Sequence, residues 1–252
     1  MKILISNDDG VWAEGIKVLH KELQKLGEAV VVAPLEEKST TGHALTLHKP
    51  LRLRQFDEWT YGINGGPADC VQMGVGEVLG SRPDLFVSGI NRGANLGQDI
   101  FYSGTVAAAR EAAIMGIPSI AVSSCIEGLR VLPDQEIYYQ TAARVVSELI
   151  PKIDFKFFSR GTVLNVNVPN LPFEKVKGLK ITKQGFRKYS FELDKRVDHR
   201  AQNYYWVGGS YEGFDPIEGS DAMVVEEGWA ALTPLHIDCT NYVLLKDLES
   251  IF

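Results

Sequence analysis

The chain has 252 residues, of which 45% are hydrophobic and 23% charged, with a formal net charge of −6. That composition excludes a disordered chain and allows either one large α/β domain with additions or two small domains. The acidic balance argues against a surface that coats a nucleic-acid polymer, which needs a basic stripe to displace counterions.

No apolar run approaches the ~20 residues that span a bilayer, so no membrane association is expected. Cys70, Cys125 and Cys239 are odd in number, far apart and without zinc spacing. They indicate free thiols and a reducing compartment. Met1 leads almost directly into an apolar strand, without the basic and apolar regions of a signal peptide. The expected location is the cytoplasm.

Residues 2–6 form a short apolar run without alternation, as in a parallel strand buried on both faces. A polar turn follows. Residues 14–26 then place Ile16, Leu19, Leu23 and Leu26 on one helical face, closed by Gly27. Residues 29–33 read as a second buried strand ended by Pro34, and 36–42 as a polar loop. Residues 44–54 alternate apolar and polar, which predicts a partly exposed strand. The stretch Asn64-Gly65-Gly66-Pro67 is a turn signal.

A helix over 68–79, a strand over 84–88, a Gly-rich loop to 104 and an Ala-rich helix over 105–115 come next. A strand over 119–123, a helix over 136–150 and a strand over 163–168 complete the series. Beyond about residue 180 the pattern changes. Phe186, Tyr189, Phe191, Tyr204, Tyr205, Trp206, Tyr211 and Phe214 stand among charged residues and glycines. This is β-hairpin material. Aromatic density of this kind indicates an arm that packs on another subunit; the alternative is packing on its own core. A late strand is expected over 230–235.

The alternation predicts an α/β fold: a Rossmann-like, mostly parallel sheet flanked by helices, with a C-terminal β-hairpin extension. One domain over 1–252 is expected, with its metal- and phosphate-binding core in 1–125 and the hairpin extension in about 180–235.

In such sheets ligands bind outside the carboxyl ends of the strands. The first strand delivers Asn7, Asp8, Asp9 and Gly10 there. The second delivers Ser39, Thr40 and Thr41, and the strand ending at 88 delivers Asn91 and Asn95. Adjacent carboxylates repel unless a cation holds them, and a hard divalent cation takes oxygen ligands from Asp, Asn and Ser. His20, His43, His48, His199 and His236 show no paired spacing, which favours Mg²⁺ or Mn²⁺ over zinc. An Asx turn or helix cap would account for one Asp of the pair, but not for both. Ser103-Gly104-Thr105 opens a helix whose unpaired amides suit a phosphate, although ordinary capping is the commoner reading of a lone Ser-Gly-Thr. His43 is expected to hydrogen-bond its own loop rather than act as a base.

These motifs carry a family resemblance. Ile3-Leu-Ile-Ser-Asn-Asp-Asp-Gly10, Val31-Val-Ala-Pro34, Gly66-Pro-Ala-Asp-Cys-Val71, the run from Val87 to Gly97 and Tyr102-Ser-Gly-Thr-Val-Ala-Ala-Ala109 stand in order through the first half. The chain resembles SurE, the stationary-phase survival family of metal-dependent 5′/3′-nucleotidases. The resemblance implies metal ligation by Asp8, Asp9, Ser39 and Asn91, with one Mg²⁺ or Mn²⁺ per subunit. It implies Asn95, Ser103, Gly104 and Thr105 as phosphate-side contacts. It implies Asp8 or Asp9 as the catalytic base, nucleoside monophosphates as substrates and short polyphosphate as a further one. It also implies a homodimer with an exchanged C-terminal hairpin, a tetramer being left open.

Two rival readings are disfavoured by the residues. An aspartyl-phosphate mechanism of haloacid-dehalogenase type needs two Asp separated by one residue, and here they adjoin. A receiver switch needs an acceptor Asp after the third strand, where Asn91 stands, and a Lys after the strand at 119–123, where Ser124 and Cys125 stand. A non-catalytic nucleotide sensor remains a third reading.

Overall fold

The computed structural model describes residues 1–126 and 135–252. The first half is built from β1 (Lys2–Ser6), α1 (Glu14–Leu23), β2 (Glu28–Pro34), β3 (Leu53–Gln55), β4 (Thr60–Ile63), α2 (Pro67–Met73), β5 (Leu85–Arg92), α3 (Gly104–Ile114) and β6 (Ser119–Cys125). The second half adds α4 (Tyr139–Leu149), β7 (Thr162–Pro169), β8 (Leu179–Ile181), β9 (Arg187–Tyr189), β10 (Glu192–Val197), β11 (Asn203–Gly208), β12 (Tyr211–Phe214), α5 (Asp221–Glu226), β13 (Ala230–His236) and α6 (Tyr242–Glu249).

Nine strands form one sheet in the order β3-β4-β2-β1-β5-β6-β7-β13-β8. Strands β4, β2, β1, β5, β6 and β7 are parallel neighbours, while β3 and β13 pair antiparallel with β4 and β7. The predicted α/β sheet flanked by helices is therefore observed, with β10–β11 and β9–β12 as the C-terminal hairpins.

The continuous apolar runs lie buried because helices cover both faces. On one face Ile16, Leu19 and Leu23 of α1 meet Ala142, Ala143 and Val146 of α4 over Ile3, Ile5, Val31 and Val87. On the other, Cys70 and Val71 of α2 meet Val106, Ala109 and Ala112 of α3 over Leu4, Val32 and Phe86. The alanines of α3 let that helix lie close to the sheet, and residues 104–109 are all buried.

Residues 44–54 depart from expectation: only Leu53–Gln55 becomes a strand. Upstream, the backbone amides find side-chain acceptors instead of a ladder. Thr46 N donates to Asp69 Oδ1 at 2.8 Å and Arg52 N to Asn64 Oδ1 at 2.7 Å. Pro50 has no amide to give a neighbouring strand. The strand expected to end at 88 runs on to Arg92, with a register shift between Ser88 and Asn91, so Asn91 sits on the strand and not in a loop. Helices α5 and α6 were not anticipated. The expected late strand is present as β13.

Candidate metal and phosphate site

Strand β1 lies between β2 and β5, so connections leave it in opposite directions. This is the switch point of an open sheet, where the carboxyl ends diverge into a crevice. Asp8 and Asp9 follow β1, and Asn91 lies near the end of β5.

Asp8 is almost fully buried. The Thr105 hydroxyl donates to its Oδ1, and the Gly104 and Thr105 amides face it from the start of α3. A Cβ on Gly104 would stand 2.7 Å from the Asp8 Cβ, so this glycine is what lets helix and carboxylate meet. The same Thr105 oxygen lies 3.4 Å from Asn91 Oδ1, which draws Asn91 into the group. From the β2 side, Lys38 N donates to the Asp8 carbonyl at 2.7 Å. Asp9 is less enclosed, and the Arg92 amide donates to its Oδ2 at 3.2 Å.

Burial pushes the Asp8 carboxyl above the ordinary range, while the Thr105 hydroxyl pulls it back. Burial, with the neighbouring Asp8 charge, pushes Asp9 up to about 6. Among the described residues neither carboxylate has an ion-pair partner within salt-bridge distance. Two desolvated carboxylates without a paired cation, beside an amide oxygen, form a donor set suited to a hard divalent cation. No cluster of three or more His, Cys, Asp or Glu able to hold a metal occurs among the described residues. Any further ligands must therefore be neutral oxygens or water, as Mg²⁺ readily accepts.

Not every expected residue joins this group. Ser39 is exposed, and its hydroxyl donates to Glu37 Oε1 at 2.6 Å. Its loop reaches the rim through Lys38, but the Ser39 side chain does not point at Asp8 or Asp9 by any hydrogen bond. Asn95 is buried one strand further along: its Nδ2 donates to Ser123 Oγ at 2.8 Å, and its amide donates to Asn167 Oδ1. Ser103 Oγ accepts from Val106 N at 3.0 Å, the capping role that composition alone favoured. His43 Nε2 lies 2.7 Å from Glu111 Oε2, which ties its loop to α3.

Two residues escaped the sequence reading. Arg92 is close enough for its charge to lower Asp9. Tyr139, from the start of α4, is raised to about 12 by burial and then by the Asp9 charge. Arg92 could have been noticed as the cation directly after Asn91; nothing local marks Tyr139.

Fold and site together define a class: a Rossmann-like α/β protein with an acidic, oxygen-donor site at the switch point of its sheet. Comparison with known proteins narrows this. Residues 3–191 match the family model described as survival protein SurE. The chain is 47% identical over 250 residues to the 5′-nucleotidase SurE of Geobacter sulfurreducens, covering 99% of this chain and 93% of the relative. It is 45% identical to that of Geobacter metallireducens, covering 99% and 97%. The crystal structure of the SurE protein from Aquifex aeolicus superposes with a TM-score of 0.85 at 41% identity, covering 99% of this chain and 98% of that one. The chain belongs to the SurE family.

Proposed function

We propose that this protein is a divalent-metal-dependent phosphomonoesterase that hydrolyses nucleoside 5′- and 3′-monophosphates to nucleoside and phosphate, and that it also accepts short polyphosphate. The relatives named 5′-nucleotidase support the reaction class. The observation that carries the reading is the Asp8–Asp9 pair beside Asn91 at the switch point, with Asp8 buried and Asp9 half-buried, and Asp8 held from α3 by Gly104 and Thr105.

Asp8, Asp9 and Asn91 would hold one Mg²⁺ or Mn²⁺ per subunit, with Ser39 joining by a rotation of its side chain away from Glu37. When bound, the cation supplies Lewis-acid polarisation of a phosphoryl oxygen. Asp8 is enclosed and fixed by Thr105, so its part is to orient. Asp9 is the more accessible carboxylate and the better placed to take the proton from a water attacking phosphorus in line. The phosphorus–oxygen bond to the nucleoside breaks as that water oxygen bonds, and the leaving oxygen takes up a proton returned by Asp9, directly or through solvent water. Asn95 and the Ser103–Gly104–Thr105 helix start would bound the phosphate side and disperse its charge, with Asn95 Nδ2 exchanging Ser123 Oγ for a phosphate oxygen and the α3 amides shared with Asp8.

The exposed hairpin β10–β11 supports a homodimer built by exchange of this arm, with the cytoplasm as the location. No helix among the described residues is long and apolar enough to cross a membrane.

The deciding assay measures phosphate released from AMP and GMP with Mn²⁺ or Mg²⁺, with and without chelator. Release that stops with chelator supports the reading. Wild-type turnover in a folded Asp8→Asn, Asp9→Asn double variant would overturn it, and so would nucleotide binding without any release.

A further inference from the structure

Residues 36–43 bridge the two halves of the rim. At one end they lie against the acidic turn. A Cβ on Gly10 would stand 3.6 Å from the Glu37 nitrogen, and Lys38 N donates to the Asp8 carbonyl. At the other end Gly42 N donates to the Tyr102 carbonyl at 3.2 Å, one residue before the Ser103 cap of α3. Between these anchors the loop bonds only to itself. Ser39 Oγ donates to Glu37, and Thr41 Oγ1 donates to the Lys38 carbonyl at 2.8 Å. Among the described residues Ser39, Thr40 and Thr41 make no hydrogen bond to another element. Thr40 also takes a left-handed conformation, with φ +58°. A β-branched residue holds that conformation only when its surroundings impose it.

His43 supplies that outside constraint. Its Nε2 is 2.7 Å from Oε2 of Glu111, about two turns along α3 from Gly104. Gln72 Nε2, from α2, donates to the other Glu111 oxygen. Glu111 is 5% exposed, and a carboxylate so enclosed is costly unless its oxygens are met. Apolar packing between α2 and α3 would cost less than this arrangement. What the polar arrangement adds is direction. Gln72 and the helix fix the carboxylate, the carboxylate fixes the imidazole, and the imidazole fixes the end of the loop. Among the described residues His43 is the only side chain of residues 36–43 that bonds outside the loop.

We infer that His43 is a positioning residue for the metal: clamped by Glu111, it sets where the Ser39 loop lies against Asp8, and so how readily Ser39 completes the sphere around the cation. This rests on the metal-dependent reading above, so the test reads metal binding and not turnover alone. Isothermal titration of the full chain with Mn²⁺ should show His43→Ala binding about tenfold more weakly than wild type, the scale of losing a group that orients a ligand. His43→Gln, whose amide nitrogen reaches the same carboxylate, should restore the affinity to within about twofold. Ser39→Ala should weaken binding about as much as His43→Ala. The double variant should be no weaker than the weaker single one, because the two residues act through one chain of contacts. Where His43→Ala does not fold, Glu111→Gln takes its place in this cycle. Wild-type Mn²⁺ affinity in a folded His43→Ala that has lost only thermal stability overturns the inference. So do losses that multiply in the double variant, and so does a His43→Gln variant as weak as His43→Ala. Any of these results in a protein that still hydrolyses GMP leaves the nucleotidase reading intact. The expected pattern of Mn²⁺ affinities in a protein that releases no phosphate sustains the role of His43 and sinks the nucleotidase reading.

Discussion

The rim of the parallel sheet and the β10–β11 hairpin break the usual rule of burial in opposite directions. At the rim, ionisable and polar groups are inside: Asp8 is 4% exposed and Asn95 5%. On the hairpin every residue of both strands is exposed, including Trp206 at 62% and Phe191 beside it at 81%. Carboxylates are seldom buried without a partner, and large aromatics are seldom left together in water. Each departure costs folding free energy that binding would offset. On the function proposed above, a cation and an anionic substrate bind at the rim and a second copy of the chain binds the hairpin. The rim is held by contacts within one subunit, whereas the hairpin makes few, so the two regions separate experimentally.

The largest expected effect lies at the rim. Asp9→Asn should lower phosphate release from GMP by about a thousandfold, the scale of losing a positioned general base, with the circular dichroism spectrum unchanged. Wild-type rates in that variant would remove the rim's claim to chemistry. Next comes the support of Asp8. Gly104→Ala forces a Cβ to within 2.7 Å of the Asp8 side chain, and Thr105→Val removes the hydroxyl that holds it. Each should cut kcat by about tenfold to a hundredfold, as for a group misplaced by a fraction of an ångström. Isothermal titration with Mn²⁺ should show weaker metal binding in both.

On the hairpin, the wild type should run as a dimer in light scattering and the Tyr205→Glu, Trp206→Glu variant as a monomer, while the thermal midpoint of the subunit moves little. A dimer that survives would place the interface elsewhere. Loss of activity on dissociation would show that the two regions are coupled after all, with β9 the obvious link, since Arg187 and Tyr189 both bond Asp99 just ahead of α3.

The smallest effect is a pH dependence at the loop that α3 anchors. The His43 hydrogen bond, opposed by burial and helped by Gln72, holds the Glu111 carboxyl below its ordinary 4.5. A carboxyl with a depressed folded pKa adds stability above its unfolded value and loses it as pH falls through the folded one. Urea melts of wild type and Glu111→Gln should therefore differ near neutrality and draw together as the pH falls below the ordinary 4.5. A difference that grew toward acid would contradict the assignment.

How much was legible depends on the separation over which each feature is encoded. The buried strands, α1 and the turn Asn7-Asp8-Asp9-Gly10 could be read because apolar periodicity and turn chemistry act over a few residues. The aromatic hairpin could be read because its composition contradicts a solvated loop. Residues 44–52 were misjudged because alternation reports only which side chains share a face. Asp69 and Asn64, distant in sequence, take the backbone amides a ladder would have needed.

By itself, then, the amino-acid sequence determined the layered α/β class, the acidic turn at a strand end and the aromatic hairpin segment, since each is written in contiguous residues. The tertiary structure alone decided which groups hold Asp8 and which hold Arg187. Thr105 is 97 positions from Asp8, and Arg187 is 88 from Asp99. Contacts over such distances exist only because the order of strands in the sheet brings those chain segments to one rim.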